Sequence, residues 1–533
     1  MTQSNDPNIV LTGFMGTGKT TVGRLLAEQL GYEFVDTDHL IEQAHGPIND
    51  IFATQGEDAF RALERTVAQD LAERRRLVVA TGGRMMLDPA NVAALSRNGR
   101  VFCLVASPEE ILERVVSDVA PLERPLLAVP DPAQRIAELL AQRAPAYRRF
   151  AQLGSNAQPP KAIAALLAAT AQADPHRIAV NSPNGSYEIC VGVAILPLAR
   201  QLADIRGPII IVTSQDAAEN YLASCPSAEL VITLPHGFGH HKSHDIVQGI
   251  HNQLVDAGVD QTATIMSLGD SVVADIAGLT ASTYLGGLDL VHCPTSLAAM
   301  LGNTTEAKAV PHITHDPERN SPPKQPKAAI ADLATLQTTE ADVFASELAE
   351  VLQLGLTADP GLLANLENED WSNANQHALD ASTANLQTLV THAMQAKASV
   401  MPDHPAWSGQ NPQLELGHGF GDAIEKAIPG RLLRGQALAL GLAASARLSE
   451  LAGVAPHGLT HRVRQVVQHL NLPTVLPHAT TTESVLKAMG VNPERHNEQT
   501  PCALLADVGA PSIVKQVSSI HMVQALESIQ PQQ

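Results

Sequence analysis

The chain has few aromatic side chains and few cysteines. Aromatic residues make up 3% of its 533 residues, although 44% are hydrophobic, so aliphatic side chains and alanine must fill its cores. The five cysteines are far apart and include no Cys-x-x-Cys pair, which argues against a disulfide framework and against a thiolate metal cluster. A reducing compartment fits this cysteine usage, and we therefore expect a cytoplasmic protein.

Positive charge and long apolar runs are also scarce. The chain carries 35 lysines and arginines against 55 aspartates and glutamates, a formal net charge of −20, which disfavours a general surface for nucleic acid or anionic membranes. No uncharged apolar stretch has the length of a membrane-spanning helix, and the N-terminus lacks a basic region followed by an apolar run. We therefore expect neither nucleic acid nor a membrane as a partner. The length predicts two or more domains.

A glycine-rich stretch near the N-terminus has the pattern Gly-x-x-x-x-Gly-Lys-Thr, at residues 13–20. A short apolar stretch at 8–12 predicts a strand before it, and apolar residues at helical spacing follow it. Glycines let backbone N–H groups surround a phosphate, and the helix N-terminus adds partial positive charge. The alternative is a turn that binds nothing, but strand, loop and helix together favour an ATP site. Its predicted contacts are Gly13, Gly16, Thr17, Gly18, Lys19, Thr20 and Thr21, with Thr20 also on Mg²⁺.

Strands and helices alternate from residue 8 to about 172, which predicts a parallel sheet covered on both faces. Ligands gather at the carboxyl ends of such strands. Asp36 and Asp38 follow the predicted strand 32–35. There they suit Mg²⁺ coordination by Asp36 and the orienting of a substrate hydroxyl by Asp38. The alternative is that they cap the next helix.

Four more motifs follow in order. They are Gly-Glu-x-x-Phe-Arg-x-x-Glu at 56–64, Gly82-Gly83-Arg84, Arg-Pro-Leu-Leu at 124–127 and Arg-x-Pro-x-Tyr at 143–147. With the glycine-rich loop and Asp-x-Asp, they resemble shikimate kinase. The resemblance implies that MgATP phosphorylates the 3-hydroxyl of shikimate, with Lys19 and Arg124 aiding transfer. It implies a lid arginine, Arg124, that closes over ATP. It also implies substrate contacts from Asp38, Arg61, Gly82, Gly83 and Arg143.

Another small acceptor, such as gluconate or a nucleoside, stays open. Bidentate guanidinium groups at Arg61 and Arg143 favour an acid. Arg84 departs from the family, which has a third glycine there. If position 84 needs positive φ, arginine would strain the turn by about 1–2 kcal/mol. Arg84 would otherwise crowd the substrate or give it one more cation.

The second part of the chain begins with alternating strands and helices and becomes helical after about 341. We predict a kinase domain at 1–173, a linker at 174–186 and a second domain at 187–533, with a Rossmann-like half to 340 and an α-helical half beyond. Segments such as 269–278 and 417–425 resemble 3-dehydroquinate synthase. The resemblance implies NAD, a divalent metal that is usually zinc, and conversion of 3-deoxy-arabino-heptulosonate 7-phosphate to 3-dehydroquinate. It also implies a possible homodimer through this domain.

Several family positions differ where that chemistry occurs. Arg434 replaces a histidine ligand and cannot bind zinc, because guanidinium has no available lone pair. Asp422 replaces the catalytic histidine, Asp270 falls in the glycine triplet that contacts NAD, and Gln353 replaces a lysine. The synthase-like positions that remain include Asp275, Lys308, Glu350 and His418.

We therefore expect a synthase fold without efficient synthase chemistry, with NAD and zinc weak or absent. The alternatives are a bifunctional enzyme with altered ligands, and a scaffold that dimerises or regulates the kinase. Two local questions stay open. Arg434 either pairs with Glu350 or points to solvent. The histidines of a glycine-rich stretch either bind a metal or form a solvated turn, the second being favoured; they are His236, His240, His241 and His244.

Overall fold

A computed structural model describes residues 7–117, 129–154, 158–182, 185–235, 244–302, 304, 325–376, 383–400, 412–478, 480–491 and 499–531. The chain divides into two compact units. The first comprises Met1–Asp174, Ala194–Ile209 and Ala218–Leu230, and the second comprises Pro175–Val193, Ile210–Ala217 and Val231–Gln533. In the described ranges, no helix combines the length and apolarity that a bilayer crossing requires.

The first unit contains a parallel five-stranded sheet. Its strands are β1 (Asn8–Gly13), β2 (Glu33–Asp36), β3 (Leu77–Ala80), β4 (Gly99–Val105) and β5 (Ala151–Gly154). They lie in the order β2-β3-β1-β4-β5, and every pair is parallel. The predicted strands are present with ends shifted by at most one residue. The prediction missed β5, whose sequence Ala-Gln-Leu-Gly contains no β-branched or aromatic residue.

Helices cover both faces of this sheet. They are α1 (Lys19–Leu30), α2 (Thr37–His45), α3 (Ile48–Ala72), α4 (Pro89–Ser96), α5 (Pro108–Ser117), α6 (Pro132–Tyr147) and α7 (Pro160–Gln172). Successive residues of the central strand β1 point to opposite faces. Ile9 and Leu11 belong to the core with α1 and α7, while Val10 belongs to the core with α3 and α4. Both faces of β1 are therefore buried, as expected for a parallel sheet.

Two later segments belong to the first unit, although we predict them in the second domain. They include α8 (Ala199–Leu202) and most of α9 (Gln215–Tyr221). Leu198 packs against the core that contains Leu11. Arg148, after α6, forms an ion pair with Glu229, and Glu229 also accepts a hydrogen bond of 2.9 Å from the backbone N–H of Ile209. Contacts distant in sequence thus join these segments to the first unit.

The second unit contains a seven-stranded sheet. Its strands are β6 (His176–Ser182), β7 (Gly185–Gly192), β8 (Ile209–Ser214), β9 (Leu230–Leu234), β10 (Thr264–Gly269), β11 (Asp289–Pro294) and β12 (Ala328–Asp332). Their order is β6-β7-β12-β11-β10-β8-β9. Strand β6 lies in the predicted linker and pairs antiparallel with β7. Ile178 and Val180 of β6 are buried, so the strand covers core that a free linker would leave open.

Helices make up most of the remaining structure. They are α10 (His244–Asp256), α11 (Ser271–Thr283), α12 (Leu297–Leu301), α13 (Ala341–Thr357), α14 (Pro360–Asn368), α15 (Thr383–Val400), α16 (Pro412–Glu415), α17 (His418–Ala427), α18 (Arg434–Leu451), α19 (Leu459–His469), α20 (Thr482–Ala488) and α21 (Ser519–Glu527). The predicted α-helical half also contains an antiparallel hairpin, β13 (Gln499–Asp507) and β14 (Ala510–Ser518). Leu504 and Leu505 of β13 are buried in different cores, so its sequence lacks the alternation of a half-exposed strand.

Candidate active site

The loop between β1 and α1 has the backbone that its glycines permit. Gly16 and Gly18 have φ of 76° and 86°, in the left-handed region. Gly13 has φ of 138°, and a Cβ there would lie 2.3 Å from the carbonyl oxygen of Leu104. Larger residues at these positions would change the loop. The glycines therefore keep the backbone open for an anion at the N-terminus of α1.

Lys19 lies at the first position of α1 and reaches back over the loop. Its Nζ donates hydrogen bonds to the carbonyl oxygens of Gly13 at 3.0 Å and Phe14 at 2.9 Å. Burial lowers the pKa of Lys19 to about 8, and the charges of Asp38 and Asp36 oppose this shift. At neutral pH the ammonium group is therefore mostly protonated. It can exchange these neutral carbonyl partners for phosphate oxygens, which bind it more strongly.

Thr20 and Asp36 form a pair of oxygen ligands beside the loop. The Thr20 hydroxyl donates to Asp36 Oδ2 at 3.0 Å. The other carboxylate oxygen of Asp36 accepts from the backbone N–H groups of Asp38 at 3.1 Å and His39 at 3.4 Å. Asp36 therefore also acts as the N-cap that we considered as an alternative. A hydroxyl and a carboxylate are hard oxygen donors of the kind that Mg²⁺ takes, so these residues fit that ion.

Two other predicted ATP contacts differ in exposure. The Thr17 hydroxyl donates to the Phe14 carbonyl oxygen at 2.8 Å and is buried. Thr21 is exposed in the first turn of α1. The predicted lid residue, Arg124, lies outside the described residues.

Asp38 is half-buried in the first turn of α2 and lies against Gly82 after β3. A Cβ at Gly82 would lie 2.4 Å from Asp38 Oδ1, so a larger residue there would displace the Asp38 carboxylate. Burial raises the pKa of Asp38 to about 6, and the charges of Asp36 and Glu64 raise it further, while Lys19 lowers it. A carboxylate with this pKa is ionised at neutral pH and is a stronger base than an ordinary aspartate.

Gly83 brings α6 next to the glycine-rich loop. Its carbonyl oxygen accepts hydrogen bonds from Arg143 at 3.3 Å and from the Tyr147 hydroxyl at 2.8 Å. The Arg143 guanidinium lies 4.9 Å from the ring centre of Phe14, and Arg143 is buried. This buried cation is therefore held between the loop and the end of β3 by its hydrogen bond to Gly83 and its cation–π contact with Phe14.

Arg61 lies on α3 in a network of four charged side chains. It donates to the buried Glu64 at 2.7 Å and, through two nitrogens, to the exposed Glu57 at 2.9 and 3.2 Å. Arg84 also donates to Glu57, at 2.9 Å. Burial raises the pKa of Glu64, and the hydrogen bond and charge of Arg61 oppose this effect.

The backbone of Arg84 resolves the question that its sequence raised. Its φ is −118° and its ψ is −10°, so position 84 does not need glycine and carries none of the strain considered above. The side chain is half-exposed and is directed to Glu57. Sequence reasoning identified Arg84 as a departure but missed Glu57 as its partner. The roles of Glu57 and Tyr147 as anchors were also missed.

The second unit has a different arrangement where the family resemblance implies NAD. Asp270 follows Gly269 at the end of β10 and is the N-cap of α11. Its Oδ1 accepts from the backbone N–H groups of Val272 and Val273, both at 3.0 Å. An exposed carboxylate thus satisfies the amides at this helix N-terminus, where a pyrophosphate would need them. These residues do not fit that group well.

One of the three predicted metal positions of the second unit carries an arginine, Arg434, where the family has a ligand. His418 and Asp422 lie one turn apart on α17, with His418 Nδ1 3.9 Å from Asp422 Oδ1. The His418 hydrogen bond and the charges of His418 and Arg434 lower the pKa of Asp422. No ion pair joins Arg434 to Glu350, although both lie in described ranges, and Arg434 is exposed. Of the two alternatives considered for Arg434, the structure agrees with exposure to solvent, where water can satisfy the guanidinium group.

The other predicted positions of this unit differ in their burial. Glu350 on α13 and Asp275 on α11 are half-buried. Gln353 is buried, and its Nε2 donates to the carbonyl oxygens of Leu414 at 2.9 Å and Leu416 at 2.7 Å, so it ties α13 to the chain before α17. Across the part of the chain that is described, no three His, Cys, Asp or Glu side chains are grouped to hold a metal. Four predicted positions lie outside the described residues, as does the side chain of His244; they are Lys308, His236, His240 and His241.

Comparison with known proteins divides the chain in the same way as the motifs. The shikimate kinase family model matches residues 15–171. Models of the N-terminal and C-terminal parts of 3-dehydroquinate synthase match residues 231–346 and 347–493. A shikimate kinase from Thermoanaerobacter pseudethanolicus is 46% identical over 142 residues, 26% of this chain and 81% of that protein. A 3-dehydroquinate synthase from Acidithiobacillus ferrooxidans is 31% identical over 359 residues, 64% of this chain and 95% of that protein.

Fold and site together define a P-loop kinase domain followed by a Rossmann-type, helix-rich domain of the synthase class. The N-terminal part of the chain belongs to the shikimate kinase family, and the C-terminal part belongs to the 3-dehydroquinate synthase family. Both recognitions made from the motifs are confirmed. The two families belong to one pathway, the biosynthesis of aromatic compounds.

Solved structures support the fold of the second part. A 2-deoxy-scyllo-inosose synthase, solved with carbaglucose-6-phosphate, NAD⁺ and Co²⁺, matches with a TM-score of 0.53 and 18% identity. The match covers 66% of this chain and 99% of that chain. A 2-epi-5-epi-valiolone synthase from Streptomyces hygroscopicus, solved with NAD⁺ and Zn²⁺, matches with a TM-score of 0.55 and 22% identity, over 64% of this chain and 96% of that chain. At these identities the likeness concerns the fold alone.

Proposed function

We propose that this chain uses MgATP to phosphorylate the 3-hydroxyl of shikimate. The observation that carries the proposal is the convergence of Lys19, Asp38 and Arg143 around the phosphate loop. Lys19 interacts electrostatically with both of the other groups, and Arg143 is fixed to Gly83 beside the loop. A cation suited to phosphate, a base and a buried guanidinium therefore lie near one another beside the loop. These groups are the ones needed to transfer a phosphoryl group from ATP to a hydroxyl of a carboxylic acid.

In the proposed reaction the 3-hydroxyl oxygen attacks the γ-phosphorus of ATP. The new O–P bond forms as the bond to the β,γ-bridging oxygen breaks, and that electron pair leaves with ADP. Asp38 takes the hydroxyl proton. Lys19 and the loop amides stabilise the negative charge on the transferred phosphoryl group, and the family resemblance gives Arg124 the same role. Arg61 and Arg143 hold the carboxylate, and Gly82 and Gly83 permit close approach.

Mg²⁺ would be held by Thr20 and Asp36, which already lie within hydrogen-bond distance of each other. When bound, the ion neutralises phosphate charge and orients the β- and γ-phosphates. The protein groups keep their separate roles in binding and proton transfer. Magnesium, ATP and shikimate are therefore the proposed small-molecule partners, in a cytoplasmic enzyme.

The pH dependence of kcat/KM follows from two shifted pKa values. Asp38 must be ionised to accept a proton, so kcat/KM should fall about tenfold per pH unit below its pKa of about 6. Lys19 must be protonated to bind phosphate, so kcat/KM should fall again above its pKa of about 8. Steady-state rates from pH 5 to 9 at constant ionic strength will check this. A flat profile below pH 6 would exclude Asp38 as the base.

We further propose that the synthase-like domain lacks efficient synthase activity and binds NAD and zinc weakly or not at all. Asp270 occupies the helix amides that a pyrophosphate would use. Arg434 places a cation beside Asp422, where the family has a metal ligand. The domain then acts as a scaffold, and a homodimer through it is part of this proposal. The alternative remains a bifunctional enzyme that also makes 3-dehydroquinate with altered ligands.

Metal and nucleotide content test this second proposal directly. We expect the purified full-length chain to carry well under one equivalent of zinc and of NAD. Arg434 would repel the metal ion, and Asp270 takes the helix amides that the pyrophosphate of NAD would use. Arg434→His removes the cation and adds an imidazole, so zinc affinity should rise at least about tenfold, the lower end of effects seen when metal surroundings change. Inductively coupled plasma spectrometry and zinc competition titrations measure both quantities. Stoichiometric zinc and NAD in the wild-type chain would contradict the proposal.

Complementation of two strains tests the overall function. The full-length gene should rescue a strain that lacks shikimate kinase and fail to rescue one that lacks 3-dehydroquinate synthase. Failure in the first strain, with the protein present and folded, would overturn the kinase assignment. Rescue of the second strain would establish the bifunctional alternative.

A further inference from the structure

Arg84 and Glu57 form a contact that the proposed reaction does not use. Glu57 Oε1 accepts from Arg84 at 2.9 Å and from Arg61 at 2.9 and 3.2 Å. One carboxylate oxygen thus serves two guanidinium groups. Arg84 directly follows Gly83, which lies beside Arg143 and the phosphate loop. The contact therefore lies at the border of the proposed substrate site.

The two carboxylates that pair with Arg61 differ in their exposure to solvent. Glu64 is almost fully buried, with 2% of its side chain exposed, whereas half of the Glu57 side chain is exposed. Glu64 therefore keeps its partner and fixes Arg61 in place. Glu57 can leave its partners at small cost, because water can solvate the released carboxylate and exposed ion pairs contribute little.

Charge balance identifies what could replace Glu57. Arg61 and Arg84 carry two positive charges, and Glu57 and Glu64 carry two negative charges. The hydrogen bond from Arg61 and the charge of Arg84 lower the pKa of Glu57, so it is ionised at neutral pH. If Glu57 turned to solvent, the remaining three groups would have one excess positive charge. A substrate carboxylate restores the balance and can bind two guanidinium groups in bidentate fashion.

We propose that Arg84 is a substrate-binding residue of this kinase, and that Glu57 is an internal carboxylate which occupies Arg84 and Arg61 until the substrate carboxylate displaces it. The inference rests on the proposed function and deepens it. It assigns to Arg84 a role in the recognition of an acid, at a position where glycine could not supply charge. Glu57 acts as a positioning residue. It pairs with both arginines before the substrate binds, so that other anions do not occupy them.

The backbone of this region is compatible with such an exchange. Gly56 interrupts α3 with φ of 84° and ψ of 174°, so Glu57 begins a new helical segment. A Cβ at Gly56 would meet no atom within 4 Å, and space is therefore open beside Glu57. Arg84 has ordinary backbone angles and a half-exposed side chain, so its removal should not disturb folding.

Two substitutions with opposite expected effects test the inference. Glu57→Gln keeps the shape but removes the competing charge, so the dissociation constant for shikimate should fall about two- to fivefold, the range of exposed ion pairs. Arg84→Ala should raise it by a similar factor. In both variants kcat should stay within twofold, because neither residue contacts the reacting oxygen. Calorimetric titration and steady-state kinetics give the two quantities.

The methyl ester of shikimate separates charge recognition from a structural effect. The ester lacks the anionic carboxylate, so its affinity should be the same in wild-type, Glu57→Gln and Arg84→Ala proteins. Glu33→Gln is the matched control, since Glu33 forms an exposed ion pair with Arg74 at 2.7 Å at the opposite end of β2. It should leave both affinities unchanged.

The possible outcomes distinguish the inference from the proposed function. Shikimate affinity that shifts as stated while ester affinity stays constant supports the inference. Equal shifts for both compounds, unchanged shikimate affinity, or a loss confined to kcat would overturn it while leaving the kinase assignment intact. Absence of shikimate binding and phosphorylation in the wild-type protein would instead remove the proposed function, and the inference with it.

Discussion

Replacing Asp38 with asparagine should lower kcat by about 10²–10⁴-fold, the usual contribution of general acid–base catalysis. The amide keeps the size of the side chain beside Gly82 but cannot accept the hydroxyl proton. Affinities for ATP and shikimate should change little, because the phosphate loop and the arginines remain. Rapid-quench measurement of product at saturating substrates gives the chemical rate. The acid limb of the pH profile should disappear in this variant.

The Asp38→Asn variant should also be at least as stable as the wild-type chain. The folded-state pKa of Asp38 is raised to about 6, mainly by burial, so its ionised form is disfavoured in the folded protein. At pH 7 the wild-type chain bears this unfavourable charge, and the neutral amide removes it. Asp70→Asn, at an exposed position near the end of α3, is a matched control that should keep full activity. Wild-type kcat in Asp38→Asn would refute the assignment of the base.

Replacing Lys19 with methionine should lower kcat/KM for ATP by about 10²–10³-fold, the range for removal of one group that stabilises transition-state charge. Methionine retains an unbranched side chain but cannot donate to the Gly13 and Phe14 carbonyl oxygens, nor to a phosphate. Nucleotide titration and coupled ADP assays measure the binding and rate effects.

Lys161→Met provides the comparison for Lys19→Met. Lys161 is exposed in the first turn of α7, so its loss should leave kcat/KM for ATP unchanged. Equal effects of the two substitutions would show that the loss at Lys19 reflects general charge rather than a phosphate contact. Circular dichroism and thermal unfolding of both variants exclude loss of structure as the cause.

Sequence-local features of this protein were predictable. The glycines of the phosphate loop, the strand before it and Lys19 are close in sequence, so spacing alone specifies their geometry. The N-cap role considered for Asp36 is equally local in sequence and is present, while its role as a magnesium ligand stays a prediction. The family resemblance implied that Arg143 and Gly83 both contact the substrate, but only the fold brings Arg143 to Gly83, 60 residues away in the chain.

Features that depend on distant contacts were not predictable. For Arg84 we considered backbone strain, crowding of the substrate and an added cation. The sequence could not decide among them, because the partner Glu57 lies 27 residues away and the φ angle of one residue cannot be inferred from its type. Strand β6 appeared to be a linker because turn residues flank it, yet pairing with β7 orders it. The residue types alone could not decide whether Arg434 pairs with Glu350 or points to solvent, and the structure shows Arg434 exposed.

Two segments that the sequence places in the second domain belong to the first unit. Residues of Ala194–Ile209 and Ala218–Leu230 belong to the first unit, and Leu198 packs against its core. Chain beyond residue 173 therefore contributes to the unit that contains the phosphate loop.

Phosphoryl transfer by the purified full-length chain is the most direct test of the central claim. MgATP and shikimate should yield one ADP per shikimate 3-phosphate, identified by ³¹P and ¹H nuclear magnetic resonance, and EDTA should abolish the reaction. Gluconate and nucleosides should give no product above the rate of ATP hydrolysis. Absence of shikimate-dependent ADP formation at saturating substrates, or phosphate on another hydroxyl, would contradict the claim.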